Sequence, residues 1–135
     1  MKALGGGLRL LPVRYAMKLH SWESVEVEQL SDSAARRVIH SERMTTARIH
    51  LKKGGVVPRH SHENEQITHV MLGELLFEFD DRRLTARAGD LVEISSNEPH
   101  RVVAVEDSVA VDVFQPVRQD WIRGDDSYLR NPSGS

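Results

Sequence analysis

The sequence of 135 residues contains no cysteine. This absence excludes disulfide bonds, catalysis by a thiol, and cysteine-ligated zinc or iron–sulfur sites. Any metal site in this chain must therefore use His, Asp, Glu, Asn or Gln side chains.

Two further absences concern possible partners. No run approaches the roughly 18 apolar residues that a membrane-spanning helix requires. The formal net charge is only −2, so bulk charge draws the protein to neither nucleic acid nor a membrane surface. An apolar fraction of 39% and a charged fraction of 28% are typical of a soluble globular protein. We expect no nucleic-acid or membrane partner and a cytoplasmic location.

The length allows one domain and leaves no room for a second full core. The opening stretch, "MKALGGGLRLLPVRYA", has no unbroken apolar segment and no clean cleavage site, which favours an extension over a signal peptide. Met17 is an alternative start of translation. We expect an N-terminal extension at 1–20, a single domain at 21–120 and a C-terminal tail at 121–135.

The body of the chain is rich in short runs of Val, Ile and Thr, separated by Gly, Asp, Asn and Ser. In "ELLFEFD", the residues Leu75, Phe77 and Phe79 share one face of a strand. About nine such runs joined by tight turns predict an all-β sandwich or barrel with short or no helices. The segment "SDSAARR" at 31–37 could begin a short helix.

Several polar residues cluster in "PRHSHENEQITHVMLGE". His60 and His62 are two residues apart, so both point to one face of an extended chain, and Gln66 has the same parity. His69 has the opposite parity and should face away. His100 opens another strand. Three imidazoles and an amide oxygen would leave open positions on an octahedral divalent ion such as Zn, Ni, Fe or Mn.

This pattern leaves two interpretations open. If these residues hold a metal, the neutral ligands leave the ion its full positive charge, which favours an anionic substrate or a more acidic bound water. If they do not, the His-x-His pair is a surface pair on a loop.

The surrounding residues resemble the first motif of the cupin family. That motif is a glycine, five residues, His-x-His, three or four residues, a ligand, six residues and a glycine. Gly54, His60, His62, Gln66 and Gly73 match it in order. Cupins usually have Glu where this chain has Gln66.

The stretch "GDLVEISSNEPH" resembles the second cupin motif at Gly89 and His100. Ser95 and Asn97 replace the proline and the second glycine of that motif, and both are tolerable in turns. The resemblance spans roughly residues 43 to 118. It implies a double-stranded β-helix, the RmlC-like jelly roll, and one divalent transition metal ion held by His60, His62, Gln66 and His100.

The stretch "VDVFQPVRQDWI" raises a second question. Asp112 and Phe114 share one strand face, and the neighbouring valines share the other. An aspartate is costly to bury unless it is paired or functional, so Asp112 either faces a pocket with Phe114 or is simply solvated. Arg118 could hold a carboxylate through two hydrogen bonds, or could be a surface arginine.

Together, D-x-F-x-P-x-R and H-x-H-x-x-x-Q resemble the small cupins of pectin and alginate breakdown. Those proteins convert 4,5-unsaturated uronates into the linear 5-keto-4-deoxyuronate. The resemblance implies a metal on His60, His62, Gln66 and His100, and catalytic roles for Asp112, Phe114 and Arg118.

We therefore expect an enzyme, a metal-dependent sugar-acid isomerase with a small anionic sugar-acid substrate. Two alternatives remain open, a metal-dependent cupin dioxygenase and a non-catalytic cupin that binds a small anion. By analogy with other cupins, whose sheets often pair across chains, we expect a homodimer.

Overall fold

The structure of the chain, a computed structural model, describes residues 17–130. Most of the expected N-terminal extension and the end of the expected tail lie outside the described residues. Within 17–130, no helix is long and apolar enough to span a membrane.

The described chain forms ten strands, one short 3-10 helix at Trp22–Ser24 and two short α-helices. The strands are β1 Glu28–Gln29, β2 Ala34–His40, β3 Thr45–Leu51, β4 Val56–His60, β5 Glu65–Leu72, β6 Glu74–Phe79, β7 Arg83–Arg87, β8 Leu91–Ile94, β9 His100–Ala104 and β10 Ser108–Gln115. The helices are α1 Gln119–Arg123 and α2 Ser127–Arg130.

The strands form two facing antiparallel sheets. One sheet has six strands in the order β1-β2-β3-β10-β5-β8, and the other has four in the order β4-β9-β6-β7. Neighbours in each sheet are often distant in sequence, as with β3 beside β10 and β4 beside β9. This arrangement confirms the expected all-β jelly-roll fold.

The core follows the alternation of the sequence. In β6, Leu75, Phe77 and Phe79 are buried while their neighbours are half-buried. Burying one side chain of this size away from water stabilises the folded state by about 1.5–3 kcal/mol. In β10, Ala110 and Phe114 are buried on the inward face, which is also the face of Asp112. The interpretation that Asp112 is merely solvated is therefore wrong.

Two turn residues show why the motif positions have their residue types. Gly73 has φ +87°, and a Cβ there would lie 2.3 Å from the carbonyl oxygen of Asp107. Asn97 stands where the cupin motif has a second glycine, and it has φ +64°. Asparagine tolerates this left-handed conformation better than most residues. Its N–H donates to the carbonyl oxygen of His62 at 2.7 Å, which joins the two motifs.

The expected short helix at 31–37 is wrong, because Ala34 opens strand β2 instead. Alanine and arginine are good helix formers, but β2 has strand partners on both sides, β1 and β3. Tertiary pairing therefore overrides local propensity here.

The chain after β10 folds back onto the barrel. Trp121 of α1 is buried, and Asp126 forms a buried ion pair with Arg36 of β2. Arg130 of α2 also contacts Asp126, at 3.2 Å. Residues that the sequence places in a tail thus pack against the six-stranded sheet.

Candidate metal centre

Three histidines meet at one end of the barrel because β4 and β9 are paired. His60 ends β4 and lies opposite His100, which begins β9. His62 follows in the next loop. Their ligand atoms all lie within 4.8 Å of one another, a spacing at which one ion could contact all three. His62 and His100 are buried, and His60 is half-buried.

Local hydrogen bonds orient each imidazole. The Nδ1 atoms of His60, His62 and His100 lie 2.7, 3.0 and 2.8 Å from backbone carbonyl oxygens two residues away. A carbonyl can only accept, so each Nδ1 carries the proton. Each neutral ring therefore presents the lone pair of Nε2, as metal-binding histidines do.

The surroundings keep these rings neutral near pH 7. Burial, followed by the charge of His100, lowers the pKa of His60 to about 3. Burial, followed by the charge of Arg118, lowers the pKa of His62 to about 4. Burial also lowers the pKa of His100. Neutral imidazole is the form that binds a metal.

A chain of hydrogen bonds leads from these histidines into the barrel. Gln66 Nε2 donates to Thr68 Oγ1 at 2.8 Å, and Thr68 Oγ1 donates to Asp112 Oδ1 at 2.6 Å. An ionised carboxylate only accepts, so the Thr68 oxygen must accept from the amide nitrogen. This fixes the Gln66 oxygen toward His62.

The result is a convergence of lone pairs. Gln66 Oε1 lies 3.1 Å from His62 Nε2. With the tautomer and the amide orientation derived above, neither atom carries a hydrogen to donate. Such a contact repels by itself and becomes favourable when both atoms face a cation. The donor set of three imidazoles and one amide oxygen therefore fits a divalent transition metal.

Asp112 lines the same cavity. Burial raises the pKa of its carboxyl group to about 6, although the hydrogen bond from Thr68 and the charge of Arg118 oppose this. A carboxyl group with a raised pKa in a cavity is a common feature of acid–base sites.

Arg118 is 1% exposed, and its guanidinium is held on several sides. Nε and Nη2 donate to the two carboxylate oxygens of Asp120 at 2.9 and 2.8 Å. The guanidinium carbon lies 4.6 Å from the ring centre of Phe114 and 4.2 Å from that of Trp121. Burial acts to lower the pKa of Arg118, but the hydrogen bonds and charges of Asp120 and Tyr128 together outweigh it, and the net pKa is raised. Arg118 is thus a fixed cation.

Two of the histidines, His60 and His100, line one cavity of about 70 Å³ together with Asp112 and Arg118. Its polar lining includes His60, Gln66, Thr68, His100, Asp112, Arg118 and Tyr128. The structure brings all the sequence-predicted site residues together here. Phe114 also lines the cavity, and the ring of His62 meets that of Phe114 edge-on with 5.6 Å between the ring centres. Their roles toward a ligand remain predictions.

Two polar residues that line the cavity, Thr68 and Tyr128, were not identified from the sequence. Thr68 has the parity of Gln66 on the same strand, so its inward direction could have been found. Tyr128 lies in the C-terminal segment, where no spacing or motif links it to the histidines. Only the packing of α2 against β4 brings its ring to 4.7 Å from that of His60.

Solved structures share this fold. An RmlC-like cupin from Shewanella frigidimarina matches with a TM-score of 0.72 and 22% identity over 78% of this chain and 96% of that one. KdgF from Halomonas sp. matches with a TM-score of 0.68 and 24% identity over 73% of this chain and 94% of that one. At these identities the likeness shows the fold alone.

Some structures with this fold are enzymes. Oxalate decarboxylase from B. subtilis matches with a TM-score of 0.65 and 19% identity over 73% of this chain and 29% of that one. No protein with a curated description matches this chain. The cupin domain model matches residues 47–114, which is half of the chain. The chain therefore belongs to the cupin family.

Proposed function

We propose that this cupin is a metal-dependent isomerase that converts 4,5-unsaturated uronates into the linear 5-keto-4-deoxyuronate. One observation carries the proposal. The carboxylate of Asp112 lies inside the cavity and is linked through Thr68 to Gln66, beside the three histidines. An acid–base group next to a cation site is what the ring opening of an unsaturated sugar acid needs.

The metal would be held by His60, His62, His100 and Gln66. The three neutral imidazoles and the amide oxygen directed at His62 support this set. A divalent ion in this position would supply positive charge for the oxygens of a bound sugar acid.

The proposed conversion is an isomerisation in which one proton changes place. The hydroxyl proton on C1 of the sugar leaves, the bond between C1 and the ring oxygen breaks, and C1 becomes an aldehyde. The electrons of the broken bond go to the ring oxygen, which becomes the carbonyl oxygen of a ketone at C5. The electrons of the C4–C5 double bond then take up a proton at C4. Asp112 would accept the proton from the hydroxyl and return it to C4, so atoms and charge balance.

Phe114 and Arg118 would bind the sugar acid around this step. Phe114 is 2% exposed and presents an aromatic ring to the cavity, where it would pack on the sugar ring and exclude water. Arg118 is a cation that lines the same cavity and would attract the uronate carboxylate. The resemblance to the uronate-linearising cupins supports both roles.

The size of the cavity favours a second candidate. Pockets for small organic ligands usually occupy roughly 300–1,000 Å³. The cavity here, at about 70 Å³, is smaller than a sugar acid requires unless its lining moves. A cupin that binds a small anion without turnover fits a cavity of this size directly.

Turnover of freshly generated 4,5-unsaturated galacturonate tests the proposal. The absorbance of the enol ether disappears as the substrate opens, so its decay gives the rate. We expect faster decay with metal-loaded protein than without protein, and loss of this acceleration after chelation. Asp112→Asn should also lose it, because the amide cannot accept the proton.

The matched control is Asp81→Asn, which changes an exposed aspartate that does not line the cavity. It should retain the full rate. Decay at the uncatalysed rate with every protein sample would contradict the isomerase. Tight binding of a small acid such as glycolate without turnover would then favour the small-anion protein.

A further inference from the structure

Tyr128 contributes to this site through both its ring and its hydroxyl. The ring stacks on that of His60, with 4.7 Å between centres and 29° between planes. The hydroxyl oxygen accepts a hydrogen bond from Arg118 Nη2 at 3.1 Å. Tyr128 therefore joins one expected metal ligand to the buried cation of the cavity.

The partners of Arg118 leave one side of its guanidinium available. Asp120 occupies the side formed by Nε and Nη2. Among residues 17–130, no side chain or carbonyl accepts a hydrogen bond from Nη1. A carboxylate that binds this arginine must therefore approach the end formed by Nη1 and Nη2, which is where the Tyr128 hydroxyl lies.

The hydroxyl proton of Tyr128 has no acceptor in the described part of the chain. Its oxygen accepts from Arg118, so its O–H remains a donor at the edge of the cavity. A donor beside a guanidinium matches the two oxygens of a carboxylate, because one oxygen can bind each group.

The position of Tyr128 is set by contacts on both sides of it in sequence. Asp126 is 3% exposed and pairs with Arg36 of the six-stranded sheet. Leu129 packs against the core and also lines the cavity. These contacts hold the intervening tyrosine over His60.

We propose that Tyr128 binds the substrate, donating its hydroxyl hydrogen bond to the carboxylate of the acid whose other oxygen contacts Nη1 of Arg118. This assignment rests on the proposed function in one respect, that the ligand is an acid. It adds a residue outside both cupin motifs to the site and makes the C-terminal segment part of the recognition of the ligand.

Calorimetric binding to the zinc-loaded full chain tests the assignment. The probes are galacturonate, its neutral counterpart galactose, and glycolate as a minimal carboxylate. Tyr128→Phe keeps the ring over His60 and removes only the hydroxyl. We expect it to weaken the binding of both acids about tenfold, the usual effect of losing a hydrogen bond to a charged group. Galactose binding should not change.

Ser127→Ala is the matched control, since it removes an exposed hydroxyl from the same helix. It should bind all three probes as the unchanged protein does. Wild-type affinity of Tyr128→Phe for both acids would overturn the assignment, as would the absence of acid binding by the unchanged protein. Selective weakening of acid binding without turnover of the unsaturated uronate would uphold Tyr128 while refuting the isomerase.

Discussion

Replacing Thr68 with valine should weaken metal binding although Thr68 is not itself an expected ligand. Valine has nearly the same shape, but it removes the acceptor for Gln66 Nε2 and the donor to Asp112. The Gln66 amide then loses the contact that turns its oxygen toward His62. The structure therefore assigns Thr68 an orienting role whose loss a metal titration can measure.

The expected magnitude follows from what such orienting contacts contribute elsewhere. Loss of a hydrogen bond that orients a ligand usually lowers metal affinity about 10- to 100-fold, or roughly 1.4–2.8 kcal/mol. We expect the lower end for Thr68→Val, because the three histidines keep their own hydrogen bonds to backbone carbonyls. Thr68→Ser retains the hydroxyl and should bind within about threefold of the unchanged protein.

Competition between the protein and a chromophoric chelator for Zn²⁺ measures this affinity. Thr46→Val is the matched control, because the Thr46 hydroxyl also bonds Asp112, at 3.1 Å, but through the backbone carbonyl oxygen. It should leave Zn²⁺ affinity unchanged. Equal affinities of Thr68→Val and Thr46→Val would refute the orienting role of Thr68.

Two further predictions concern stability. Asp126→Asn leaves Arg36 with only the more exposed Glu28 as its acidic partner. It should therefore lower the free energy of unfolding, in urea denaturation at pH 7, by less than the roughly 3–5 kcal/mol of a fully unpaired buried charge. Burial acts to raise the pKa of Asp126, but the hydrogen bonds and charges of Arg130 and Arg36 together outweigh this and lower it. The difference in stability between the unchanged protein and Asp126→Asn should therefore be full above about pH 4, the pKa of an aspartate in the unfolded chain, and should shrink as the pH falls further. A difference that stays constant down to pH 3 would contradict the ion pair. Gly73→Ala should destabilise by more than about 2 kcal/mol, because a left-handed φ is combined with a Cβ placed 2.3 Å from the Asp107 carbonyl oxygen. Gly54→Ala has a similar φ without a neighbour within 4 Å, so thermal melts that show equal losses would contradict the steric part of this reasoning.

The sequence could predict the parts of the site that local geometry controls. His60 and His62 follow from their spacing on an extended chain, and their partner His100 follows from the second motif. The inward direction of Asp112 was only one of two interpretations. It is settled by the face of β10 that lines the cavity, which carries Ala110, Asp112 and Phe114.

The sequence could not predict what depends on distant packing. Tyr128 reaches His60 only because α2 lies against β4, and no periodicity records that contact. Similarly, Ala34 and Arg36 favour a helix locally but lie in β2, where hydrogen bonds to two neighbouring strands decide. The sequence leaves Arg118 as either a carboxylate clamp or a surface arginine, and its pairing with Asp120 two residues later depends on the helical turn of α1.

The segment that covers the cavity also has a consequence for the speed of binding. Tyr128 and Leu129 lie on a helix of four residues, whereas the histidines are held by the strands and their connecting loops. Such a segment opens at a lower free energy than a sheet that is hydrogen-bonded on both sides. If a ligand larger than the cavity enters past this segment, Tyr128 must move away from His60. Its association rate would then follow the opening of this segment instead of diffusion, and closure over the bound ligand would lengthen its residence time.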